Sequence, residues 1–192
     1  KLFKNIKKWL ENQEHLFYLF LLILIVPNII LCFTEPMPVV AKVCNVLLPF
    51  AFYYLLMNLS RNCGKMFWIL FLFILFGAFQ IVLLYLFGQS IIAVDMFLNL
   101  VTTNSSEAME LLDNLVPALV SVIILYIPAL ILAAISIIKK RKLSSEFIRR
   151  ERKKAWIALL IGFISLGAAY GLDKRYELKS DLYPANVCYN VA

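Results

Sequence analysis

Long apolar runs separated by short polar segments set the pattern of this chain. The runs fall at about 16–33, 38–59, 66–87, 116–138 and 155–172. A helix needs about 20 residues, at 1.5 Å each, to cross a hydrocarbon core of roughly 30 Å. The pattern therefore predicts an all-α, polytopic membrane protein with five transmembrane helices. Ahead of them, in residues 1–14, Leu2, Phe3, Ile6, Trp9 and Leu10 recur at helical spacing with Lys1, Lys4, Lys7 and Lys8 mostly opposite. That stretch suits either a helix lying in the interface or a solvated basic start that anchors the first span. Pro27, beside Asn28, predicts a kink in the first span, and Pro128 one in the fourth. Pro117 suits the first turn of the fourth. Lys42, near the start of the second span, is expected to snorkel to the head groups rather than turn inward to a phosphate or carboxylate. Gln80, alone in an apolar span, fits interhelical glue and a functional group equally. In the last span, Gly167-x-x-x-Gly171 is expected to serve close packing inside this bundle.

The longest acidic and hydroxyl-rich segment between the apolar runs lies in the connection at 88–115, which is expected to be external. Its stretch from Asp95 to Leu115 carries Asp95, Glu107, Glu110 and Asp113 without a single Lys or Arg. Read as one helix, it places Asn99, Thr103 and Glu107 at i, i+4 and i+8, drifting only slightly around one face. Read with a break at Thr103, it restarts at Asn104-Ser105-Ser106-Glu107, whose spacing is that of a capping box with free backbone N–H groups. Both readings gather the same side chains. At a membrane surface Glu107 would suit an ammonium, and Asn99 and Thr103 would donate to phosphate oxygens. A polar face that merely solvates a surface segment, held down by Met96, Phe97, Leu98, Met109, Leu111 and Leu112, explains the pattern as well.

Composition removes other classes. Of 192 residues 62% are hydrophobic and 16% charged, and mean hydropathy is +0.84, which no soluble domain would bury. The net charge of +7 points to no nucleic acid, because the basic residues flank the apolar runs, where anionic head groups and topology account for them. Residues 139–154 alone hold nine basic residues against two acidic ones. With residues 1–14 and 60–65 they put fifteen of the nineteen Lys and Arg on one side. The positive-inside rule makes that side cytoplasmic, with the N-terminus in, the C-terminus out and the acidic stretch outside. The basic start imitates a signal peptide, but its apolar run is too long and no small-x-small site follows. Cys32, Cys44, Cys63 and Cys188 lack CxxC spacing, and with His15 as the one histidine they offer no metal site. Cys32 and Cys44, near the external ends of the first two spans, read as unpaired packing residues before they read as a disulfide.

Five spans, N-in and C-out, an external Asn99-x-x-x-Thr103-x-x-x-Glu107-Ala108 and a tail with Tyr183-Pro184-x-Asn186-Val187 together resemble the membrane domain of the lipid A phosphoethanolamine transferases. These belong to the alkaline-phosphatase and sulfatase-like superfamily. The resemblance covers essentially the whole chain, and its specific part is residues 95–112. It implies a bacterial inner-membrane protein in lipopolysaccharide modification, with residues 173–192 starting a periplasmic linker to a catalytic domain. That domain would hold zinc and a threonine nucleophile, and would move phosphoethanolamine from phosphatidylethanolamine to lipid A. Neither the nucleophile nor a zinc or other cofactor site is expected in these residues, so alone they should be inactive. The resemblance assigns substrate binding to Asn99, Thr103 and Glu107 and leaves Asp95, Ser106 and Glu110 as neighbours.

Other readings stay beside it. The membrane part of a phosphoglycerol or teichoic-acid transferase would handle an uncharged head group and need no Glu107. A small transporter is disfavoured because the mid-span positions are apolar apart from Gln80 and no repeat is present. A scaffold subunit would leave the acidic stretch indifferent to lipid.

Overall fold

The computed structural model describes residues 9–87, 105–172, 174, 176, 177, 182, 183 and 185; for 83, 85–87 and 105–114 it describes the backbone alone. These residues build an all-α bundle with no strand among them. The helices are α1 (Gln13–Thr34), α2 (Val39–Met57), α3 (Cys63–Ile69), α4 (Phe71–Phe87), α5 (Ser105–Ile138) and α6 (Ser145–Leu172). Four of them, α1, α2, α5 and α6, are each long and apolar enough to cross a membrane, and the bent pair α3–α4 has the length and composition of a fifth span if its two helices count as one.

α1 is central, packing on α2, α3, α4 and α5, while α6 lies outermost along α2 in the broadest helix contact. Lipid is as apolar as leucine, so such helices adhere through close packing and buried polar contacts rather than expulsion of water. The interfaces accordingly bury Ala41, Ala51, Ala133, Ala155 and Ala169. Large side chains such as Phe33, Ile124, Leu160 and Ile164 face outward, as a lipid-facing belt requires.

Three departures from the sequence reading matter. The third span is not one straight helix over 66–87: α3 begins at Cys63 and meets α4 at Leu70 with a 61° bend. Neither proline nor glycine sits at the break, so packing holds it. A Cβ on Gly64 would lie 2.3 Å from the Ala133 carbonyl oxygen on α5, and Phe67 stacks on Phe20 of α1 at 4.5 Å. Second, α5 runs without interruption from Ser105, so Pro117 lies inside the helix instead of in its first turn. Third, the close approach of α6 to α2 falls at Gly162, where a Cβ would come 3.1 Å from the Leu48 Cα. Among the described residues nothing lies within 4 Å of a Cβ placed on Gly167 or Gly171, so their spacing serves no helix packing among those residues.

Candidate functional site

The basic segments meet at one end of the bundle and are knitted through main-chain oxygens. Leu143 N donates to the Arg61 carbonyl at 2.7 Å, and Arg61 Nε returns a bond to the Leu143 carbonyl at 3.0 Å. Asn62 Nδ2 donates to the carbonyls of Ser136 and Arg141, and Arg141 reaches Glu11. Lys140 closes the turn after α5 at φ 50°, the left-handed position that ends many helices. At the same end His15 stacks on Trp9 with centroids 4.9 Å apart and its Nδ1 lies 3.3 Å from the Trp9 carbonyl, which makes it an interface residue.

This end holds a buried carboxylate that sequence reasoning passed over. Glu151 is fully buried, one turn before the apolar part of α6 starts at Ala155. It accepts from the Tyr54 hydroxyl, from Arg150 Nε at 2.9 Å and from Lys154 Nζ at 2.9 Å. Burial pushes its carboxyl up, but the Tyr54, Lys154, Tyr18 and Arg150 donors outweigh burial and lower it to about 2. The signal was present in the spacing. Phe147, Glu151 and Ala155 recur every four residues, so the buried face of α6 carries the glutamate inward with it.

Of the acidic stretch only the part from Ser105 onward is described. Asn99 and Thr103 lie outside the described residues, and Glu107 falls in the first turn of α5, where the backbone alone is described. From Ser105 onward the backbone is helical, and Asn104, the cap position of the restart reading, lies outside the described residues. Over its 34 residues α5 traces about 50 Å at 1.5 Å per residue. That exceeds a hydrocarbon core of roughly 30 Å, so with Ile138 at the basic end the opening turns of α5 reach the opposite face. Lower down, α5 and α1 flank an open apolar groove of about 560 Å³, walled by Leu22 and Val26 on one side and Ile124, Pro128 and Leu132 on the other.

Inside the far half of the bundle two asparagines meet. Asn28 and Asn45 are both fully buried, and Asn28 Nδ2 donates to the Asn45 carbonyl at 2.9 Å, to Asn45 Oδ1 at 3.2 Å and to the Tyr183 carbonyl at 2.8 Å. Gln80 is 1% exposed, and among the described residues neither of its side-chain atoms has a hydrogen-bond partner. Cys32, Cys44 and Cys63 are free thiols; Cys32 donates to the Lys42 carbonyl, and Cys44 Sγ accepts from the Tyr176 hydroxyl at 3.7 Å. Lys42 is half-buried and has no ion-pair partner among the described residues. Cys188 lies outside them.

Among the described residues no three His, Cys, Asp or Glu side chains gather where one metal ion could be held. Comparison with known protein families, with curated proteins and with solved structures finds no match to this chain. What the described residues establish is a class: a helical, polytopic membrane protein with its basic segments gathered at one end.

Proposed function

We propose that this chain is the membrane-spanning part of a phosphoethanolamine transferase. In this reading it holds phosphatidylethanolamine from the outer leaflet of a bacterial inner membrane, at Asn99, Thr103 and Glu107, and positions a zinc-dependent periplasmic domain for transfer to lipid A. The chemistry belongs to that domain, and the present residues bind and orient the donor. The N-terminus is cytoplasmic and the C-terminus periplasmic, as the basic end requires.

One observation carries the reading: a single helix, α5, has Glu107 in its first turn and, fourteen residues on, begins at Ser121 to wall the apolar groove shared with α1. Fourteen residues of helix span about 21 Å, close to the reach of a phospholipid from its head group into the middle of its acyl chain. An ammonium at Glu107 and a tail in the groove would therefore be held by one rigid element. A phosphoglycerol donor would use the groove equally but has no cation for Glu107.

Native mass spectrometry of the purified chain, taken from bilayers of equal phosphatidylethanolamine and phosphatidylglycerol, tests this. The expected result is preferential retention of phosphatidylethanolamine, lost on Glu107→Gln. A hydrogen bond to a charged group contributes about 1.5–3 kcal/mol, so the preference should fall by about tenfold or more. Equal retention of both lipids by the unaltered chain, or an unchanged preference in the variant, would overturn the reading.

A further inference from the structure

Asn28 of α1 and Asn45 of α2 carry carboxamides into the interior of the bundle. One atom of each, Asn28 Nδ2 and Asn45 Oδ1, bonds the main chain of a distant segment, while Asn28 Oδ1 and Asn45 Nδ2 have no partner among the described residues. Asn28 Nδ2 donates to the Tyr183 carbonyl at 2.8 Å, and Tyr183 N donates to Asn45 Oδ1 at 3.2 Å. The pair thus reads both backbone groups of one residue, the two-point contact a neighbouring strand would make, while its own Nδ2-to-Oδ1 bond of 3.2 Å keeps the two side chains in register. Tyr183 contributes its ring separately. The ring is fully buried, its hydroxyl donates to the Phe73 carbonyl of α4 at 3.4 Å, and a Cβ on Gly77 would come within 3.2 Å of that oxygen. Beside it, Leu182 and Tyr176 pack with Ala41, Cys44 and Ala169.

The depth of this contact is its informative feature. α1 ends at Thr34, so Asn28 sits six residues below its end, about 9 Å at 1.5 Å per residue. Tyr183, eleven residues after α6 ends at Leu172, meets Asn28 at that depth. Irregular backbone at such a level is tolerated only where protein groups satisfy its N–H and C=O, and for Tyr183 those groups are the two asparagines.

We infer that Asn28 and Asn45 form a backbone clamp whose partner is the Leu182–Tyr183 segment of this same chain, and that the clamp holds this segment inside the bundle. Because the clamp reads main-chain atoms, it is indifferent to the tyrosine hydroxyl and intolerant of losing the amides or the Tyr183 N–H. The inference stands apart from the lipid-binding reading and is tested without lipid.

Hydrogen exchange followed by mass spectrometry on the detergent-purified chain reports the segment directly through a peptide covering residues 176–185. In the unaltered protein and in Tyr183→Phe this peptide should be protected. In Asn28→Leu/Asn45→Leu it should exchange at least tenfold faster, with peptides from α1 and α2 still protected as evidence of folding. Tyr183→Pro, which removes the N–H, should release the segment well beyond Tyr183→Ala, which loses the same buried ring but keeps the N–H. This pair decides the matter if the double variant does not fold, and equal release in the two would overturn the clamp. Protection retained in a folded double variant, or in Tyr183→Pro, would overturn the clamp.

Discussion

Glu151 shows how one side chain can be written among charges and belong to the interior. Its neighbours Arg150 and Lys154 are 59% and 54% exposed at the side chain, whereas Glu151 is 0%. Removing the carboxylate therefore leaves two cations free to rehydrate, and the loss falls on the Tyr54 hydroxyl and the space around it. This differs from stripping one partner from a fully buried ion pair, which costs about 3–5 kcal/mol. Glu151→Gln should cost about 1.5–3 kcal/mol, the range for a hydrogen bond to a charged group, read as a lower melting temperature in detergent. The effect has a defined pH dependence. A carboxyl lowered from 4.5 to about 2 on folding adds stability that is complete above its unfolded value and disappears as the pH falls through the folded one. The melting-temperature gap between wild type and Glu151→Gln should thus be full above about pH 4.5 and shrink as the pH falls toward about 2. A gap that persists unchanged in acid would show that the glutamate acts through shape instead of charge.

At the scale of elements, the glycines separate helix contacts that matter from those that merely look as if they should. Gly64 admits the α5 backbone, since a Cβ there would sit 2.3 Å from the Ala133 carbonyl oxygen, so Gly64→Ala must push α3 off α5 and strain the bend at Leu70. Overpacking of this kind costs about 1–3 kcal/mol. Gly167→Ala meets nothing within 4 Å among the described residues and should change stability by less than about 1 kcal/mol, the scale of helix propensity alone. Thermal unfolding of the two variants side by side checks the contrast, and equal destabilisation would contradict the packing described. The helices themselves were legible because apolar runs of spanning length have few other uses. The bend at Leu70 was not, since it arises from contacts between residues far apart in the chain and carries no proline or glycine at the break. The passage of α5 through Pro117 was not legible, because a proline at the head of an apolar run reads as a first-turn residue. Asn28 was read only beside its proline, and its partner Tyr183 lies 155 residues away, a distance over which local pattern says nothing.

For the whole molecule, the decisive property is sidedness. The start of α1, the turn after α2, the end of α5 and the start of α6 share one end through the bonds among Glu11, Arg61, Asn62, Arg141 and Leu143. α5 then carries the chain from Ile138 back to Ser105 along about 50 Å of helix. A head-group ledge at Glu107 requires that this helix cross the bilayer completely, and the excess of Lys and Arg at the other end requires that the ledge face away from the cytoplasm. Single cysteines introduced at Glu107 and at the exposed Glu146, in a background with Cys32, Cys44, Cys63 and Cys188 replaced, test both requirements with a membrane-impermeant maleimide. The cysteine at 107 should react in spheroplasts with an intact inner membrane, and the one at 146 only after that membrane is permeabilised. Reaction of both from the same side would leave α5 short of a crossing and remove the physical basis for a lipid head group at Glu107. The reverse order would keep the bundle but turn the acidic stretch toward the cytoplasm, where no periplasmic domain could meet it.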